Sequence, residues 1–175
     1  MCLLMFHKRR LDIIHQQYEK NARLNEITMK IHDLQQYASN IADGSVSISD
    51  MGSTPASMFN RTLMYMTYAH NGALMGANAN MQQIMMLPNV QAQMAQMTDP
   101  NQQAMYQQWI FQNLYAQQRE RFAKQETKLL NEQEKELQKE KTKIETELKM
   151  LQAELEGVQQ GERDAVKQWK PEFVA

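Results

Sequence analysis

The stretch that decides the fold is residues 130–158, LNEQEKELQKEKTKIETELKMLQAELEGV. Apolar side chains recur here every seven residues, and from Ile144 to Val158 they alternate at steps of four and three. A 3.5-residue repeat keeps one stripe of a helix toward a partner helix and favours a left-handed supercoil. We therefore predict a coiled-coil seam formed by Leu130, Leu137, Ile144, Leu148, Leu151, Leu155 and Val158.

The same seven-residue register extends outward in both directions. It passes through Ala123 and Ala116 to Trp109 on one side and reaches Ala165 on the other. Between residues 120 and 141 charged side chains flank the seam, so the apolar stripe there is too thin to hold a tight dimer alone. Three interpretations stay open: a solvated helix that leans on its own chain, an oligomerisation coil, and a helix that folds on a partner.

The ends of this long helix have recognisable signals. Asp99 offers a capping carboxylate, and Pro100 suits the first helical position. Pro171 disfavours helical geometry at the residue before it. We predict one long heptad helix over 100–170, followed by a tail at 171–175.

An amphipathic helix is predicted over residues 7–43. Its apolar positions alternate at steps of three and four, and Gly44 suits the left-handed position after its end. The apolar residues 1–6 before it are too few to span a bilayer; we interpret them as a fringe left by a misassigned start codon or as a small membrane-touching tip. A loop is expected over 44–54. The predicted helix face comprises Leu24, Ile27, Ile31, Leu34, Ala38 and Ile41.

A methionine-rich helix is predicted over residues 55–87, between Pro55 and a stop at Pro88. Small side chains at helical spacing predict a face that lets another backbone approach closely. Amide side chains interrupt the segment and make membrane insertion costly, so we favour a buried helix in a bundle over reversible membrane insertion. The methionine clusters indicate adaptable packing surface rather than metal binding. The predicted close-packing face comprises Ala69, Gly72, Ala73, Gly76 and Ala77.

Residues 88–99, with glutamines among small residues, could form helix or coil, and we favour a mobile connector between this helix and the long one. The densest aromatic cluster of the chain follows, near the start of the long helix, where it should meet the methionine-rich helix. We predict that it forms the hydrophobic core. The predicted aromatic core comprises Trp109, Ile110, Phe111, Leu114 and Tyr115.

Charge is distributed unevenly along a nearly neutral chain. The 175 residues carry a net charge of −1, so no field attracts nucleic acid. The 57 residues from Thr62 to Gln118 hold a single formal charge, Asp99, while both ends are densely charged. A lone cysteine, Cys2, and the lack of a signal-peptide pattern favour a cytoplasmic location, with export by a non-secretory route as the alternative.

No pattern in the sequence indicates chemistry. The histidines of the first helix lack the i, i+4 spacing that two metal ligands need. No nucleophile elbow or phosphate-binding glycine loop is present. The carboxylates of the last helix are interleaved with lysines, as on a solvated face. We therefore expect no catalytic site, no metal and no cofactor.

Together these patterns predict an all-α fold: an elongated helical hairpin or bundle with a long C-terminal coiled-coil helix and a Met/Gln-rich helical middle. We expect a non-enzymatic scaffold or adaptor that contacts a protein partner, or itself, through helices. In overall architecture the chain also resembles axial or translocator proteins of flagellar and type III secretion systems. That resemblance implies an exported, polymerising component, or one that contacts membrane through residues 62–87, as the alternative.

Overall fold

The computed structural model describes residues 3–42 and 50–169. Over these residues the chain forms four α-helices: α1 (Leu3–Ala42), α2 (Phe59–Met85), α3 (Pro88–Gln96) and α4 (Pro100–Trp169). Short 3-10 helices lie at Asp50–Ser53 and Ala56–Met58, and this part of the chain contains no strand. The predicted all-α fold with a long C-terminal helix is confirmed. The predicted tail, 171–175, lies outside the described residues.

The helices divide into two compact units. Unit 1 comprises Met1–His32 and Glu134–Ala175, and unit 2 comprises Asp33–Gln133. Helices α1 and α4 therefore each contribute to both units, whereas α2 and α3 belong to unit 2 alone.

In unit 1 the first part of α1 packs antiparallel against the last part of α4. The direction follows from the contacts, because Arg9 pairs with Glu154 whereas Arg23, further along α1, pairs with Glu140. Apolar residues from both helices form the core, since burying their shared stripe supplies most of the helices' stability. This core comprises Ile27, Ile31 and Ile144, with Leu24, Leu137 and Leu148 packed against them.

Ion pairs run beside this core. Glutamates at seven-residue intervals on α4 accept from three cations of α1: Glu140 from Arg23 at 2.8 Å, Glu147 from Lys20 at 2.5 Å, and Glu154 from Arg9 at 2.5 Å. The hydrogen bond from Lys20 lowers the pKa of the Glu147 carboxyl. Exposed pairs add little stability one by one, but a wrong register would place like charges together. The pairs therefore select the antiparallel register.

The first turn of α1 belongs to unit 1, which corrects the prediction of a separate fringe over residues 1–6. Helix α1 begins at Leu3 rather than at residue 7, and the half-buried Phe6 ring lies against Gly161 of α4. A Cβ atom added at Gly161 would stand 2.8 Å from Phe6 Cε1. A glycine at this position is what allows the ring to approach the α4 backbone.

In unit 2, α2 packs against α4 through its small residues. Ala69, Ala73 and Ala77 are fully buried. The neighbouring Gly72 and Gly76 lie against the side chains of Phe122 and Gln118 in α4. The absence of side-chain atoms at these glycines is what lets the α2 backbone approach α4 closely.

The predicted connector, 88–99, is largely helical, which corrects the expectation of a mobile segment. Pro88 occupies the first turn of α3, a position where its missing N–H costs nothing. The Gln103 amide donates to the carbonyls of Met94 and Met97, so α4 holds the end of α3. As predicted, the Asp99 carboxylate caps the start of α4, accepting from the Asn101 N–H at 2.9 Å.

A second core lies in unit 2 where α2, α3 and α4 meet. It is centred on Ala77, Val90, Ile110 and Leu114. The partly buried apolar residues packed against it are Met81, Ile84, Met85, Met94, Tyr106, Phe111 and Tyr115.

Candidate functional site

Most of the predicted seam is covered by the chain itself. Leu130 is only 1% exposed, and Ile144 and Leu151 are buried. Leu137, Leu148, Leu155 and Val158 are half-buried. On the predicted face of α1, Ile27, Ile31, Leu34 and Ile41 are buried, while Leu24 and Ala38 are half-buried.

The start of the seam is different: Trp109 is 59% exposed, and Ala116 is exposed as well. The reason lies in the helical period. From Ile110 to Leu130 the covered positions advance in steps of four, so the buried face turns around α4. A seven-residue register cannot follow that turn. Its first two positions therefore face outward. The covered positions are the adjacent pairs Ile110/Phe111, Leu114/Tyr115, Gln118/Arg119, Phe122/Ala123 and Glu126/Thr127, followed by Leu130.

Four of the five residues of the predicted aromatic core lie in the second core or pack against it. Ile110 and Leu114 are buried in the second core, and Phe111 and Tyr115 pack against it. Trp109 does not belong to that core. Adjacent helix positions differ by about 100°, so Ile110 and Trp109 face different ways.

Trp109 is nevertheless held in place. Its ring stacks on Tyr106, with centroids 6.0 Å apart and planes inclined by 14°. The Tyr106 hydroxyl in turn donates to Gln93 Oε1 of α3 at 2.5 Å. A side chain fixed in this way loses less freedom when another molecule covers it.

An uncharged strip surrounds Trp109. Its exposed residues follow one another at steps of three and four along α4, and Met105 among them is 70% exposed. Exposed apolar patches rimmed by polar groups typically mark interaction sites. We define the α4 outer face as Gln102, Met105, Trp109, Gln112 and Ala116.

Helix α2 presents a comparable stripe that sequence analysis missed. Its exposed positions alternate at steps of four and three on the side away from the buried alanines. This spacing could have been recognised in the sequence, but the small-residue face dominated the pattern. Half of the stripe consists of amides, so we rank it below the α4 outer face. The α2 outer stripe comprises Met64, Tyr68, Asn71, Met75, Asn78 and Gln82.

A half-buried polar cluster in unit 2 is structural in character. Arg61 of α2 donates to Glu126 at 2.7 Å and to Gln133 at 2.6 Å, and its guanidinium lies 5.8 Å from the centroid of the Tyr37 ring. Burial raises the pKa of both Tyr37 and Tyr65, with the Glu126 carboxylate adding to the effect. These tyrosines remain protonated over the physiological range, so neither hydroxyl is present there as a phenolate.

Other polar groups on the described helices do not assemble a site either. Over residues 3–42 and 50–169, no three His, Cys, Asp or Glu side chains cluster as metal ligands. His70 of α2 pairs with the Tyr115 hydroxyl at 2.8 Å. A groove along α4 in unit 1 offers cations and hydroxyls without an acid–base partner. The residues lining this groove are Lys135, Gln138, Lys139, Thr142, Lys143 and Thr146.

Among the described helices, α2 included, none combines the length and the apolarity that crossing a bilayer requires. No protein-family model, curated protein or solved structure matches the chain. The α4 outer face, with Trp109 at its centre, is therefore the candidate functional site.

Proposed function

We propose that the chain is a non-enzymatic interaction protein, a scaffold or adaptor that acts through helix–helix contacts. One observation carries the proposal: Trp109 is 59% exposed at the centre of an uncharged helical strip. Tryptophan is enriched among the residues that dominate binding energy at protein interfaces. Exposure of so large an apolar side chain does not stabilise a soluble chain, so we infer that another molecule covers it.

The chemistry of the α4 outer face selects the kind of partner. It carries no cation, so it offers nothing to the phosphates of a nucleic acid. Its side chains recur at the 3- and 4-residue spacing of a helix that packs on another helix. The expected occupant is therefore an amphipathic protein helix with a neutral face.

Photocrosslinking in the cells that express the chain tests this proposal. A benzophenone amino acid at Gln112 leaves Trp109 intact, and we expect it to capture one or a few discrete proteins. Adding Trp109→Ala to the same chain should abolish the capture. The matched control places the benzophenone at Leu129, which is 51% exposed on the same helix but stands among charged residues.

Equal capture at Gln112 and Leu129, or capture that survives Trp109→Ala, would count against the α4 outer face as a docking site. Absence of any protein adduct at Gln112 would contradict the proposed function. Adducts with lipid alone would instead support the membrane-contacting alternative.

A further inference from the structure

We propose that the occupant of the α4 outer face is a second copy of this chain, related by a two-fold axis that passes beside Trp109. This inference rests on the proposed function, because it names the partner of the same face. Two-fold dimers are the most common protein assemblies, and they require a surface that is complementary to itself.

Charge is the first argument. A surface that meets its own copy must not bring like charges together, and the α4 outer face carries none. The nearest formal charges along the chain are Asp99, before α4, and Arg119, three residues after Ala116. From Arg119 onward the exposed positions of α4 are rich in interleaved lysine and glutamate, and charged residues are depleted at the cores of protein interfaces.

Coverage of α4 selects the direction of pairing. Ala123, one heptad beyond Ala116, is buried by its own chain. Two parallel copies would run into this covered part of the seam after about two heptads. In an antiparallel pair the two helices cross instead. Each helix then diverges from the other before the contact reaches its own covered part.

An axis between Trp109 and Gln112 also places one large side chain, Met105, opposite a small one. In this register Met105 of one copy faces Ala116 of the other, and Trp109 faces Gln112. Arg119 then falls opposite Gln102 and Glu120 opposite Asn101, so neither charge meets its own counterpart. Alternating large and small residues is how facing helices fill the space between them.

The size of the contact indicates a moderate affinity. From Gln102 to Ala116 the helix rises about 20 Å, or about four turns, so the contact is shorter than an obligate helical interface. The Trp109 ring compensates in part, since Tyr106 already orders it before the second copy arrives. The dimer should therefore dissociate at a protein concentration that can be reached by dilution.

The first experiment measures the solution mass of the full chain by light scattering across a hundredfold concentration range. We expect the mass to rise from monomer to dimer and to level there. Trp109→Ala should raise the concentration of half-dimerisation by about tenfold or more, whereas Leu129→Ala should leave it unchanged. Helical content by circular dichroism verifies that both variants fold.

A constant monomer mass would overturn this inference, as would growth beyond a dimer or an equal effect of Leu129→Ala. If the mass stays monomeric while Gln112 still captures another protein in cells, only the identity of the partner is wrong. If the mass stays monomeric and Gln112 captures nothing, the proposed function fails as well.

A second experiment tests the direction of pairing. In a Cys2→Ser background, chains with Met105→Cys are mixed with chains that carry Ala116→Cys, and a short bismaleimide is added. We expect crosslinks in the mixture and few in the Ala116→Cys chains alone. Efficient crosslinking of Ala116→Cys to itself, with no crosslink between Met105→Cys and Ala116→Cys chains in the mixture, would overturn the antiparallel arrangement.

Discussion

The ring of Phe122 in α4 lies so close to the backbone of Gly72 in α2 that a Cβ atom added at this glycine would stand 2.5 Å from Phe122 Cζ. Tyr68 also packs against this ring edge to face, with the two centroids 5.2 Å apart. The small-residue face of α2 thus admits a whole aromatic ring of α4.

Gly72→Ala should therefore destabilise the protein although alanine is the better helix former. Overpacking of a tight contact costs about 1–3 kcal/mol, and the gain in helix propensity returns about 1 kcal/mol. We expect a net loss of about 1 kcal/mol in the free energy of unfolding, measured by urea denaturation. The matched control is Gly157→Ala in α4, where no atom lies within 4 Å of the added Cβ. This control should stabilise the protein, and a stable Gly72→Ala variant would contradict the close contact.

The parts of the fold that could be predicted are those in which one regular pattern extends over many residues. The seam from Ile144 to Val158 and the alternating steps on α1 are long enough to identify their helices and their buried sides. Helix α3 has only nine residues, and its glutamines and small residues form no clear stripe. Its position depends on packing of Val90 and on bonds from Gln103, which local sequence does not reveal.

The candidate site shows a different limit of sequence analysis. Trp109 belongs to a heptad register that is correct further along α4, but the covered face turns by steps of four before Leu130. Only the three-dimensional packing shows where the register ceases to apply. The carboxylates of α4 show the same limit, because Glu140, Glu147 and Glu154 pair with cations of α1 rather than facing solvent alone.

Reversing the charge of Lys20 should destabilise unit 1. Lys20→Glu places a carboxylate beside Glu147, in place of an ion pair of 2.5 Å. The variant should unfold at a lower temperature, as measured by circular dichroism. Adding Glu147→Lys should recover most of the lost unfolding temperature. Failure of the double variant to recover would show that this pair does not help to set the antiparallel register.

Acid should weaken the same unit. Hydrogen bonds from Lys20 and Lys30 lower the pKa values of Glu147 and Glu26 below their ordinary value of 4.5. Such carboxylates stabilise the fold above that value, and their contribution is lost as the pH falls through the lowered pKa. The midpoint temperature of unfolding should therefore fall when the pH is lowered below about 4.5. In the Glu147→Gln variant this temperature should fall less over the same pH interval. An equal drop would exclude Glu147 as a contributor.

Alkali should act on unit 2. Burial raises the pKa of Tyr37 and Tyr65 above the ordinary value of 10.0. A tyrosine with a raised pKa contributes stability that is present below pH 10 and is lost as the pH rises, because only the unfolded chain ionises freely. Absorbance of the ionised phenol should show these two tyrosines ionising above the ordinary pKa of 10.0, together with unfolding. Tyr65→Phe should remove part of the late step, and an unchanged titration would contradict burial of its hydroxyl.

Two adjacent residues of α4 should respond in opposite ways to truncation. Ile110 is 7% exposed in the second core, so Ile110→Ala should lower the free energy of unfolding by about 2–4 kcal/mol. Trp109 is mostly exposed, so Trp109→Ala should change the stability of the monomer by less than about 0.5 kcal/mol. Urea unfolding at a concentration below that of dimerisation measures both. A large loss for Trp109→Ala in the monomer would mean that this ring supports the fold itself, and its exposure would then no longer indicate a docking surface.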